Sequence, residues 1–254
     1  MPSLHFKPRV PVFDAHVQVG DAPDAPAPAR DRAGLLAELD RHGVGRALIY
    51  HAQAEQRSTL ESNAYLEEWL GDDGRLAPLW CVLPTDESLA QVRALHERGR
   101  VRCVRLTSPR PEGLPFRPWA YDPLLSWLER AQIPLWIPLP GCEPDEVVST
   151  LQTYAGLVTV LCGAHYVHAL WVRPMLRALP NAYLELSRYE PIGEIEALRD
   201  EFGAERLVYA SWYSRYVMGP MLFYLHQTDL SDAELALVCA GNLERILRGE
   251  GRRD

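Results

Sequence analysis

Phe13-Asp14-Ala15-His16-Val17-Gln18-Val19-Gly20 is an alternating run of strand formers closed by a glycine, and how it is read decides the fold. Side chains two apart on a strand share a face, so His16 and Gln18 are expected to point the same way, with Asp14 on that face too. The spacing is that of a metal-binding His-x-His strand whose second imidazole has become an amide. Gln18 offers no anionic or imidazole lone pair, so it would hold zinc poorly where an imidazole holds it at ~2.0 to 2.1 Å. The stretch speaks for an architecture more clearly than for an activity.

Outward from it, apolar β-rich runs alternate with amphipathic ones to the end of the chain, the pattern of repeated βα units around a parallel sheet. Eight strands are expected, over 11–17, 46–50, 76–82, 103–106, 133–137, 158–162, 182–186 and 206–209. The helices between them carry their own punctuation. Ser58-Thr59-Leu60-Glu61 is a capping box, Asp122-Pro123 and Glu143-Pro144 place proline at a first helical position, and Gly156 and Gly203 suit C-terminal caps. In the tail, Ser231-Asp232-Ala233-Glu234 caps one helix and Gly241-Asn242 separates it from another. No Gly-x-Gly-x-x-Gly follows the first strand. The expected fold is therefore α/β, a single (β/α)8 or TIM barrel with extra C-terminal helices and one domain over residues 1–254, rather than an open doubly wound sheet. The segment 21–30, rich in alternating Pro and Ala, can form neither helix nor ladder. It would emerge on the C-terminal face of the barrel, where a lid and a plain surface loop are both open readings.

Composition sets the outer limits. A chain of 254 residues with 47% apolar and 24% charged residues has the makings of a large core, and a formal charge of -8 argues against nucleic acid or an anionic membrane as partner. Small molecules or other subunits are expected, with a homodimer left open. Lys7 is the only lysine, so arginine is plentiful for compositional reasons and Schiff-base chemistry has no candidate in the barrel. Five cysteines without C-x-x-C spacing read as buried thiols of a reducing compartment. The start of the chain lacks the apolar stretch of about 7 to 15 residues of a signal peptide, which makes the cytoplasm the expected location. No Gly-x-Ser-x-Gly elbow and no Walker loop occurs.

Seven segments, in order, carry a resemblance: FDAHVQVG at 13–20, VRCVRLTSP at 101–109, QIPLWIPLPG at 132–141, LCGAHYVHA at 161–169, PNAYLELS at 180–187, ERLVYASWYS at 205–214 and LSDAELALVCAGNLERILRG at 230–249. Together they resemble the amidohydrolase-related family, in the branch that includes aminocarboxymuconate-semialdehyde decarboxylase. The resemblance implies a metal-dependent hydrolase barrel, and it places His16, Gln18, Pro138, His165 and Trp212 at the family's metal positions. Only two of those five are ligands. Trp212 falls where the family's base aspartate stands, and its indole brings ~150 to 250 Å² of apolar surface and an N–H but no lone pair. No metal is therefore expected; the alternative is a zinc-like divalent ion in a rearranged site with His51 recruited as third ligand.

Residues at the C-terminal ends of barrel strands converge on the mouth. His16 and His165 are the acid/base candidates and Arg105 the anion anchor, with Gln18, His51, Arg188 and Trp212 as binding candidates. His168 is expected to face the outer helix, and Asp14, about 7 Å deeper along its strand, to be structural. The implied function is that of a small-molecule hydrolase or decarboxylase relative working without metal, on a substrate that bears a carboxylate. A metal-independent lactonase is known among the relatives of this family. The alternative is a catalytically inactive homologue that binds a ligand or an active partner subunit.

Overall fold

The computed structural model describes residues 6–21, 29–71, 74–108 and 111–253. Residues 22–28, most of the segment read as lid or surface loop, lie outside the described residues. Among the described residues, parallel strands follow one another around a ring: β1 (Phe13–Val19), β2 (Arg46–His51), β3 in two pieces (Leu76–Pro78 and Trp80–Val82), β4 (Val104–Leu106), β5 (Leu135–Pro138), β6 (Thr159–Cys162), β7 (Ala182–Glu185) and β8 (Leu207–Val208). Pro78, with no N–H for a ladder, sits at the break in β3. Leu79 N–H still donates to Ile49 C=O at 2.9 Å, so β3 stays on β2. The ring closes where Ala15 N–H donates to Tyr209 C=O at 3.2 Å and Val17 bridges to Tyr213. This is an α/β TIM barrel, with all eight expected strands in place.

Parallel strands are covered on both faces, which is why they read as near-continuous apolar runs. Leu48, Tyr50, Trp136, Val160, Cys162, Tyr183 and Val208 pack inside the ring, whereas Ala47, Ile49, Val104, Leu135, Leu161 and Leu184 pack outward against the helices. The outer helices include Arg32–His42, Thr59–Trp69, Asp86–Glu97, Pro118–Ala131, Pro144–Thr153, Ala169–Ala178 and Glu194–Phe202. Ser58 caps its helix, accepting from Glu61 N–H at 3.2 Å, but the Glu61 side chain does not return the bond, so the expected capping box is half-formed; Gly203 ends its helix with φ +82°. Pro144 opens its helix as expected.

Three expectations on punctuation are corrected. The helix before β5 starts at Pro118, which takes the first helical position, and Pro123 lies inside it. Gly156 is no cap; its N–H donates to Glu129 Oε1 at 2.7 Å, beyond a helix that ends at Thr153 and is capped by Tyr154. Gly241 does not separate the tail helices. It keeps right-handed helical angles, and Asp232–Ala236 runs through a π turn at Leu237–Gly241 into Asn242–Leu247.

The correction that governs the site lies in β1. Asp14 is opposite Ala47 but Val17 is opposite Ile49, so three residues of β1 span two of β2 and the strand carries a bulge. Asp14 therefore shares the helix-facing side with Ala47, not the face of His16 as strict alternation required. Beyond the bulge Gln18 sits opposite the inward Tyr50, and Val19 opposite His51, which is turned out of the barrel.

Candidate functional site

The barrel axis is filled by a polar cluster built on His16, which is fully buried. Arg105 Nε donates to His16 Nε2 at 2.9 Å. A guanidinium can only donate, so Nε2 must supply a lone pair, and the proton of the neutral ring belongs on Nδ1. Nδ1 lies 3.5 Å from Glu185 Oε2, too long for a full hydrogen bond. Burial lowers the His16 pKa against the opposing pull of Glu185, which keeps the ring neutral.

Trp212 closes this cluster. Its indole stacks on the His16 ring at 4.9 Å and 21°, Nε1 donates to the Tyr50 hydroxyl at 2.9 Å, and that hydroxyl donates to Gln18 Oε1 at 2.8 Å. Gly163 makes room for it: a Cβ there would lie 2.3 Å from Trp212 Cζ3. The backbone of Trp212 is itself left-handed, φ +48°, a strained setting for a bulky residue. Gln18 and Trp212, two of the three non-ligand residues at positions where the resemblance implies ligands, thus meet through Tyr50 in one hydrogen-bonded chain.

Arg105 is placed differently from the expectation of an anion anchor. It is fully buried, its Nη1 donates to Leu106 C=O at 3.0 Å, its Nη2 to Glu55 Oε1 at 2.6 Å, and its face lies 4.3 Å from the Tyr50 ring centre. Glu55, on the short helix Gln53–Gln56, already occupies the seat a ligand carboxylate would take, and Arg215 flanks its other oxygen at 3.6 Å. Nothing in the sequence marked Glu55 for this role. Glu185 was more legible, being a carboxylate inside the apolar strand β7, where a charge persists only when its oxygens are satisfied. They are: Gly163 N–H donates to Oε2 at 2.9 Å and Ser187 N–H to Oε1 at 2.7 Å.

The ligating atoms of His16, Cys162 and Glu185 gather within 4.8 Å of one another, so the donor set can be tested against a divalent ion. Zinc needs an imidazole lone pair and a thiolate. Here the hydrogen bond from Arg105 places the His16 proton on the nitrogen that faces the group, burial holds the Cys162 thiol well above its usual pKa, and the Arg105 guanidinium already brings a positive charge. The residues as arranged do not fit a divalent cation.

The remaining candidates lie apart. His165 is half-buried; its Nε2 is 2.8 Å from Arg188 Nη2, and it makes no hydrogen bond or ring contact with His16. Arg188 also lies over the Tyr216 ring at 4.1 Å. His168 Nδ1 accepts from His165 N–H at 2.8 Å, while its ring meets Trp171 of the outer helix at 4.7 Å. Pro138 ends β5 with its carbonyl accepting from the Cys142 thiol at 3.0 Å. His51, outward on β2 beside the inward Tyr50, packs against Tyr65 at 5.5 Å and cannot serve as third ligand to His16.

A model of the amidohydrolase family matches residues 13–249. The chain belongs to the amidohydrolase family. Among solved structures this amidohydrolase is similar to an uncharacterized TIM-barrel protein, Bb4693 from Bordetella bronchiseptica, with 17% identity and a TM-score of 0.74 over 97% of this chain and 100% of the other. It is similar to 5-carboxyvanillate decarboxylase from Sphingomonas paucimobilis, with 16% identity and a TM-score of 0.74 over 94% and 99%. A third likeness is to 2,6-dihydroxybenzoate decarboxylase in complex with 2,6-dihydroxybenzoate, with 14% identity and a TM-score of 0.71 over 94% and 99%. At such identities the likeness carries the fold alone. No curated protein matches the chain in sequence. No helix among the described residues is long and apolar enough to cross a membrane.

Proposed function

We propose that this amidohydrolase works without a metal ion, as a homologue that binds a small carboxylate-bearing molecule and does not run hydrolysis on metal-bound water. One observation carries the reading: the hydrogen bond from Arg105 to His16, which puts the chain's own cation on the barrel axis and uses up the imidazole lone pair a metal would need. Trp212 in the aspartate's place supplies no base, and it shields His16 from any substrate. That the ligand bears a carboxylate is supported by the names of the solved relatives, which act on 5-carboxyvanillate and 2,6-dihydroxybenzoate. Elemental analysis of protein purified without chelator tests the first half. Substoichiometric zinc and manganese are expected, and one tightly held ion per chain lost on His16→Ala would overturn the reading.

A second reading, metal-free acid/base catalysis, is favoured by His165. It keeps partial exposure, and the Arg188 guanidinium beside it could grip a substrate carboxylate. Turnover of a lactone, ester or aromatic-acid panel, abolished by His165→Ala and preserved in metal-free buffer, would replace the first reading by this one.

A further inference from the structure

The geometry points to a rim cavity as the ligand site of this barrel, between the C-terminal ends of β1 and β2 and the helix Thr59–Trp69, fitted to a small aromatic carboxylate. This rests on the carboxylate-binding reading above and moves it off the blocked axis. The cavity holds about 380 Å³, within the range of small-molecule sites. His51 forms part of its wall, turned out of the barrel because it follows the inward Tyr50 on the regular strand β2.

His51 is only 8% exposed, and its Nδ1 accepts from Gln53 N–H at 3.3 Å. The ring proton therefore belongs on Nε2, which has no hydrogen-bond partner among the described residues, and His51 lines the cavity. Gly20 keeps that space clear, since a Cβ there would lie 2.2 Å from His51 Nε2, and its φ of +86° suits glycine alone. Tyr65 meets the His51 ring at 5.5 Å and 44°, and Trp69 completes an aromatic wall. Two arginines line the cavity, of which Arg30 pairs with Asp21 at 3.8 Å, whereas the Arg57 side chain has no ion-pair partner among the described residues. Flat walls, one uncommitted guanidinium and one unpartnered imidazole N–H recognise a carboxylate on a planar ring. Glu68, also on the wall, suits a ring hydroxyl as acceptor.

The test titrates 2,6-dihydroxybenzoate and benzoate into the full chain by calorimetry, beside Arg57→Gln and Tyr65→Ser, two exposed positions whose replacement spares the core. Saturable one-to-one binding to the wild type, weakened about tenfold or more by Arg57→Gln and severalfold by Tyr65→Ser, is expected. Binding that neither substitution changes would overturn the rim site and leave the carboxylate reading standing. Binding of succinate or citrate without either benzoate would overturn the aromatic ligand alone. If no carboxylate of either kind binds, this site and the reading under it both fall.

Discussion

Arg105 has its Nε on His16, one terminal nitrogen on Leu106 and the other on Glu55, so every side of a buried cation is answered from within the chain. Removing one partner of such a pair costs more than the pair itself contributes, because the charge left behind stays desolvated. Glu55→Ala should therefore lower stability by about 1 to 3 kcal/mol, less than the ~3 to 5 kcal/mol of a wholly enclosed pair because the Glu55 side chain keeps 23% exposure. Urea unfolding measures it, and an unchanged midpoint would mean that Arg105 re-pairs. Asp14 gives the pH counterpart. Its Oδ1 accepts from the N–H of His16 and of Ser211, yet burial outweighs both and raises its pKa from 3.8 to about 7. The folded protein thus holds a proton that the unfolded chain releases near 3.8, so this contribution to stability is complete below that pH, falls as pH rises, and is gone above about 7. Asp14→Asn should flatten the loss of Tm between pH 5 and pH 8, and equal slopes in the two proteins would refute the assignment.

At the scale of elements, the strands were legible because parallel barrel strands are buried on both sides, and runs such as Leu135-Trp136-Ile137 show this directly. The bulge in β1 was not. Phe13-Asp14-Ala15-His16-Val17 alternates as cleanly as an ideal strand, and only pairing against β2 reveals the extra residue that puts Asp14 and His16 on opposite faces. Gln18, Pro138 and Trp212 could be read one by one as residues that differ from those the family resemblance implies; the placing of Arg105 against His16 on the barrel axis could not, because Arg105 reads equally well as a rim arginine in an arginine-rich chain. The contacts between elements make this testable. Gln18→His, Pro138→His and Trp212→Asp together place donors on β1, on β5 and just after β8, but Arg105 on β4 still engages His16. The triple variant should take up no stoichiometric zinc, and the same variant with Arg105→Ala should gain it. Calorimetric zinc titration of variants with wild-type circular dichroism decides, and tight binding by the triple variant alone would show that Arg105 is no barrier.

For the whole molecule, the two ends of the barrel are closed by different parts of the chain. Trp212 and Glu55 close the mouth, while Leu243 and Ile246 of the tail pack among the inward residues Phe13, Leu48 and Val208 at the floor. The tail is tied in by Asn242, whose Nδ2 donates to the carbonyls of Ala204 and Leu207 at 2.8 Å, and by the Tyr183 hydroxyl, which donates to Gly251 C=O at 2.6 Å. Those bonds join the last helices to β7 and β8, and β8 joins β1, so the tail should unfold with the ring and not before it. Leu243→Ala should cost about 2 to 5 kcal/mol, the range for truncating a fully buried leucine, and should move one cooperative urea transition without changing its slope. Fluorescence and circular dichroism that report separate midpoints would show the tail to be an independent unit, and with it the expectation of one domain over 1–254 would fail.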